Sequence, residues 1–191
     1  MKEKVILTDC DGVLLDWEYA FDRWMARHGY RIQVRDTYNI AEKYDLGTAN
    51  KSRLVRMFNE SATIRKLPPL RDAIKYVRKL HEEHGYVFHA VTSLSNDEYA
   101  QHLRTKNLCE LFGPTVFETY VYLDTGADKD EALSKYKDTN CWWIEDKPEN
   151  AEVGLEMGLN SVLMWHSHNT GYGGDAYSVS CWKDIYELIV G

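Results

Sequence analysis

Hydrophobic and polar positions along the chain follow two periods that take turns. The short apolar run Val5-Ile6-Leu7 predicts a buried strand from Lys4 to Thr8, and it stops at the polar Asp9-Cys10-Asp11-Gly12. Trp17, Ala20, Phe21, Trp24 and Met25 then fall at helical spacing up to His28, with Gly29 as the stop. Between about Arg31 and Arg65 the chain is more polar and carries two further helix-like patterns. One holds Ile40, Tyr44 and Leu46, the other Leu54, Val55, Met57 and Phe58. Leu67-Pro68-Pro69-Leu70 marks a boundary, because proline disfavours helix in the residue before it and suits a first turn.

Beyond that boundary strands and helices alternate. Leu70, Ala73, Ile74, Val77 and Leu80 mark a helix that Gly85 ends, and Tyr86 to Val91 a strand followed by Thr92-Ser93. Ser95 and Glu98 have capping-box spacing, which starts a helix running to about Lys106. Thr115 to Leu123 reads as a strand, Asp128 to Tyr136 as a helix, and Cys141 to Ile144 as a strand ending in Glu145-Asp146. Pro148 opens a helix that Gly158 stops, Ser161 to Trp165 is a strand, and Trp182 to Val190 a final helix. The stretch from about His166 to Ser180 reads as a loop, with His166 and His168 as loop residues and Gly171 to Gly174 as a mobile connection.

This alternation means βαβ units: an α/β, Rossmann-like, mostly parallel sheet with helices on both faces, three layers in all. A helical insertion of residues 15–66 separates the first strand from the rest, so the core is residues 1–14 and 67–191. Ligands of such sheets bind beyond the carboxyl ends of the strands. Asp9-Cys10-Asp11, Thr92-Ser93 and Glu145-Asp146 are therefore expected at one edge.

Composition narrows the function classes. The chain has 191 residues, 30 acidic against 23 basic, for a formal charge of −7. That balance argues against a nucleic-acid polymer as partner, since Lys and Arg must neutralise its phosphates. Small anionic ligands stay open. No apolar run approaches the roughly 20 residues that span a bilayer, and no signal peptide is read at Met1-Lys2-Glu3-Lys4. Cys10, Cys109, Cys141 and Cys181 lie far apart without a CxxC pair, so a reduced, cytoplasmic protein is expected, without structural zinc or disulfides.

Asp9 and Asp11 stand two apart at a strand end, which turns both carboxylates to one side. Taken alone, Asp-x-Asp-Gly is also an ordinary turn. The remote Glu145-Asp146, again after an apolar strand, changes the balance. Carboxylates gathered at one place repel unless a hard cation holds them, and Mg²⁺ takes oxygen ligands. Cys10 points to the opposite face and is no nucleophile, and Trp142-Trp143 is structural.

Four separated motifs resemble those of the haloacid dehalogenase superfamily, in order and over most of the chain. Val5-Ile6-Leu7-Thr8-Asp9-Cys10-Asp11-Gly12-Val13 resembles the first, Val91-Thr92-Ser93 the second, Lys129 at a helix start the third, and Trp143-Ile144-Glu145-Asp146-Lys147-Pro148-Glu149-Asn150 the acidic fourth. Lys129 is preferred to Lys135 and Lys137 because it directly opens its helix, whose N-terminus favours anions. The resemblance implies a phosphatase: Asp9 as nucleophile forming an aspartyl-phosphate, Asp11 as general acid and base, and Thr92, Ser93 and Lys129 on the phosphoryl oxygens. It implies Mg²⁺ on Asp9, the Asp11 backbone carbonyl and Asp146. Glu145 and Asn150 depart from the commoner residues at their positions, and the split of duties between them stays open.

The insertion stands where this superfamily carries a so-called C1 cap, and it is small and aromatic (Trp17, Tyr19, Phe21, Trp24, Tyr38, Tyr44). The combination of this short helical insertion, Asp11-Gly12-Val13 and the acidic pair Glu145-Asp146 followed by Lys147-Pro148-Glu149-Asn150 resembles the 5′(3′)-deoxyribonucleotidase branch. A nucleoside monophosphate is the implied substrate, with Trp17, Phe21 and Trp24 either the insertion's own core or rings that stack on a base. A sugar phosphate or other small metabolite, a polynucleotide end, and a non-catalytic binding module are the competing readings.

Overall fold

Six strands form one sheet in the computed structural model, which describes residues 4–35, 37 and 39–191. They are β1 (Val5–Thr8), β2 (Val87–Ser93), β3 (Phe117–Leu123), β4 (Trp142–Glu145), β5 (Asn160–Met164) and β6 (Tyr177–Val179). Their order is β3-β2-β1-β4-β5-β6, and every neighbouring pair is parallel. The helices are α1 (Trp17–Arg27), α2 (Ile40–Lys43), α3 (Thr48–Asn59), α4 (Ala73–His84), α5 (Glu98–Phe112), α6 (Asp130–Ser134), α7 (Pro148–Glu156) and α8 (Trp182–Val190).

Strand alternation builds the layers. Ile6, Phe88, Ala90, Ile144 and Val162 face one way and join Val77 and Leu80 of α4, Leu103 and Leu108 of α5 and Trp182 and Ile185 of α8. Leu7, Val91 and Trp143 face the other way, against Leu133 of α6 and residues flanking α7. The sheet is thus covered on both faces, as the sequence predicts.

Four local readings change. Tyr177–Val179, inside the stretch read as loop, adds to the sheet edge as β6, paired in parallel with β5. The cap of α5 is Asp97, whose carboxylate accepts from Ala100 N–H at 2.7 Å. Ser95 instead donates to Glu60, so the expected Ser95–Glu98 box does not form. The same helix runs on to Phe112, six residues past its expected end at Lys106, and α6 is shorter than predicted.

The insertion leaves and returns through a paired neck: Asp16 N–H donates to the Pro68 carbonyl and Leu70 N–H to the Leu14 carbonyl. Phe21, Trp24, Leu54, Phe58 and Ile64 bury their side chains in the same cluster as the sheet's α4/α5/α8 face. Polar ties add to this attachment. Asn59 Nδ2 donates to the Leu94 carbonyl, Ser95 to Glu60, and the Arg56–Asp124 and Arg65–Glu110 ion pairs bridge α3 and the Ala62–Lys66 turn to the core. Tyr38 lies outside the described residues. No described helix is long and apolar enough to cross a membrane, and all four cysteines are free thiols.

Candidate active site

The loops after β1, β2 and β4 and the start of α6 meet at the carboxyl edge of the sheet. Asp9 N–H donates to the Ile144 carbonyl, continuing the β1–β4 ladder one residue past the strand and fixing Asp9 beside Glu145 and Asp146. All three acids are buried, and one carboxylate oxygen of each lies within 4.8 Å of the others. Lys129 reaches this group from the N-terminus of α6, with Nζ 2.9 Å from Asp9 Oδ1 and 2.7 Å from Glu145 Oε2. Burial disfavours the charge on Lys129, but the Asp9 and Glu145 carboxylates outweigh it and hold the ammonium on.

Glu145 is fully occupied. Its other oxygen, Oε1, accepts from the N–H groups of Asp146 and Lys147. It therefore orients Lys129 and the turn into α7. The Asn150 backbone carbonyl accepts from Trp143 Nε1, and among the described residues no hydrogen bond ties the Asn150 side chain to the three acids.

Asp146 is in the opposite condition. Its Oδ1 is buried without a hydrogen-bond partner. Burial first, and then the Glu145 and Asp9 carboxylates, push its carboxyl well above the usual range. A dication among these oxygens removes both penalties, and an all-oxygen donor set suits a hard cation such as Mg²⁺. Gly12 makes the close approach feasible. Its φ is +78°, and a Cβ there would stand 2.3 Å from Asp146 Oδ2, so both backbone and space demand glycine.

Thr92, at the end of β2, is buried with its hydroxyl unpaired, so it has a donor to offer. Ser93 donates to the Ala127 carbonyl at 2.8 Å and tethers the loop that leads to Lys129. Cys10 is buried, and burial pushes its thiol up to about 12. Phe21 and Trp24 are packed, while Trp17 is half-buried, stacked on Phe21 at 4.7 Å with its Nε1 donating to Asn59.

Four partners escape the motif reading. Arg104 of α5 is fully buried and holds Asp11, with Nη1 2.8 Å from Oδ1 and Nη2 donating to Oδ2 at 3.3 Å. Burial raises the Asp11 carboxyl and the Asp9 charge adds to this, while Arg104 offsets part of the rise. A signal existed: Arg104 and Asn107 share the helix face of Ala100, Leu103 and Leu108, where buried apolar residues belong. His166 Nε2 donates to the Gly12 carbonyl at 2.6 Å and His168 Nε2 to the Asp146 carbonyl at 3.0 Å. Burial lowers both imidazoles, which keeps them neutral donors at pH 7. Asn169 Nδ2 bridges the carbonyls of Asp146 and Met164.

No protein-family model matches the chain. It is 29% identical over 191 residues to an uncharacterized 32.4 kDa protein in the Gp30-rIII intergenic region of Enterobacteria phage T4, covering 94% of this chain and 67% of that protein. Among solved structures it is similar to a haloacid dehalogenase-like family hydrolase from Streptococcus pneumoniae, with a TM-score of 0.66 at 14% identity over 98% of both chains. The HAD-hydrolase YfnB from Bacillus subtilis bound to magnesium gives a TM-score of 0.64 at 13% identity over 99% of both chains. CbbY from Rhodobacter sphaeroides in complex with phosphate gives 0.61 at 15% identity over 96% of both chains. With its all-parallel sheet and its acids at the carboxyl edge, the chain has the haloacid dehalogenase-like fold.

Proposed function

We propose that the chain is a Mg²⁺-dependent phosphomonoester hydrolase that works through an aspartyl-phosphate, with residues 15–66 as a C1-type cap. The observation that carries this reading is Asp9, buried at the sheet edge, held by Lys129 at 2.9 Å and facing Asp146, which has one oxygen unpaired. Asp9, Asp146 and the Asp11 backbone carbonyl would hold the ion. Bound there, it would offset the charge on the phosphoryl oxygens and on the acids themselves.

The chain's own groups supply the rest. Asp9 attacks phosphorus as the ester oxygen leaves, and Asp11 gives that oxygen its proton. Asp11 then takes a proton from water, whose oxygen attacks the same phosphorus and returns the Asp9 carboxylate and inorganic phosphate. The burial that raises the Asp11 carboxyl suits a group that must begin protonated. Lys129 and the unpaired Thr92 hydroxyl hold the phosphoryl oxygens.

The substrate proposed is a nucleoside monophosphate, as for a 5′-nucleotidase, with the half-buried Trp17 as the ring for the base. The burial of Phe21 and Trp24 favours a second reading, a sugar phosphate or other smaller ester. Four free thiols fit a reducing, cytoplasmic setting. Hydrolysis of p-nitrophenyl phosphate with and without Mg²⁺ tests the chemistry. Asp9→Asn should abolish turnover and Asp11→Asn should lower kcat by about 10²–10⁴-fold. Full activity in Asp9→Asn would remove the nucleophile assignment. Comparing kcat/KM for nucleoside monophosphates and sugar phosphates separates the two substrate readings.

A further inference from the structure

One flank of α1 faces the Ala62–Lys66 turn across a cleft of about 540 Å³. That volume is in the range of small-molecule sites, about 300–1,000 Å³. Tyr19, Arg23 and Arg27 line it from α1 at i, i+4 and i+8, and Trp24, Arg65 and Lys66 are among the residues that form the rest of the wall. Four of the lining side chains are cationic and none is acidic, in a chain whose formal charge is −7. Glu110 approaches the rim, and Arg65 pairs with it. Among the described residues Arg23, Arg27 and Lys66 make no ion pair, which leaves three charges facing the cleft. A concave wall of one sign focuses its potential on an anion.

The cleft is separate from the candidate active site. It shares no residue with Asp9, Asp11, Thr92, Lys129 or Asp146. The neighbouring flank of α1 carries Glu18 and Asp22, both of which pair with the single Lys43 ammonium, at 2.8 and 2.7 Å.

We propose that this cleft is a second ligand site, for a nucleoside triphosphate. Three free cations match a chain of phosphates better than a single phosphate group. Arg23 and Arg27 can each fork onto phosphate oxygens, and Lys66 faces them from the turn. Tyr19, 55% exposed at the rim, offers a flat face for the base, a contact that every base can make. The cleft contains no carboxylate to hold a metal, so binding does not depend on Mg²⁺. This assignment stands apart from the proposed hydrolase activity.

Equilibrium dialysis of ATP against the full chain in EDTA tests it, because EDTA silences a Mg²⁺-dependent site. Saturable binding of one ATP is expected, unchanged in Asp9→Asn. Arg23→Glu/Arg27→Glu, on the exposed surface of α1, should weaken it at least tenfold, as should Lys66→Glu. Tyr19→Ala should weaken ATP while leaving inorganic tripolyphosphate unchanged. Thermal melting of each variant checks that the fold is intact. No saturation at 1 mM ATP overturns the proposal, as does binding that is lost in Asp9→Asn and kept in Arg23→Glu/Arg27→Glu. A dT12 oligonucleotide that occupies the cleft and that ATP does not displace would also overturn it, by assigning the cleft to a polymer.

Discussion

Arg104 is fully buried with its Nε lacking a hydrogen-bond partner, and Asp11 is the carboxylate that its Nη1 and Nη2 meet. A buried guanidinium that loses its partner, or a carboxylate that loses the guanidinium, is an uncompensated charge. Arg104→Met should therefore lower unfolding stability by about 3 kcal/mol in urea titrations. Combined with Asp11→Asn, the loss should fall short of the sum of the two single losses by at least about 1 kcal/mol. Additive effects would mean that the pair is not coupled. The contrast with Asp9, Asp11 and Asp146 shows what a sequence displays at this scale. Those acids are legible because each follows an apolar strand and the fold sends strand ends to one edge. Arg104 is met only across space, from a helix 93 residues away in sequence, and its one local mark is a charge on an apolar helix face. Glu145 belongs by type with the acidic metal motif, yet its three-way use by Lys129 and two backbone N–H groups becomes visible only once α6 and β4 are side by side.

The turn Ser167–Asn169, between β5 and β6, acts on the site without supplying a candidate catalytic group. His166, His168 and Asn169 together grip the carbonyls of Gly12 and Asp146, two positions that lie in close contact beside the acidic cluster. Partners of this outer kind tune metal sites by about 10–100-fold. Asn169→Ala should weaken Mg²⁺ binding by about tenfold in calorimetric titration while leaving the secondary structure unchanged. Unchanged affinity would confine Asn169 to local turn formation. The turn was hidden in a polar stretch rich in Gly, Ser and Asn, and so was β6, whose three residues are too few to show alternation. Strong periodicity made α1, α7 and α8 legible to within a residue or two, and α4 to within three. Helix ends were harder to place, because Asp97 and Ser95 are both good cap residues and the choice between them depends on Glu60, reaching over from the end of α3.

Across the whole molecule, three of the 30 acids, Asp9, Glu145 and Asp146, are buried together at the sheet edge. The Asp146 carboxyl is raised in the fold, so it contributes stability in its protonated form, below the ordinary carboxylate value. That contribution is lost as pH rises through the raised value, and a cation that requires the carboxylate gains over the same window. Mg²⁺ at about 100 times its dissociation constant should raise Tm by about 5–10 °C at pH 8 and by much less at pH 5. A shift equal at both pH values, or one retained in Asp146→Asn, would place the ion elsewhere. The polar ties of the insertion bear on timing. To swing away from the sheet edge it must break the Asn59–Leu94 and Ser95–Glu60 hydrogen bonds and expose Ile64. Those terms alone cost roughly 5 kcal/mol, which leaves fewer than about one molecule in a thousand open at any moment. On the proposed hydrolase reading, a substrate would meet walls that are already standing, and selection among phosphate esters would be a matter of admission through a fixed doorway.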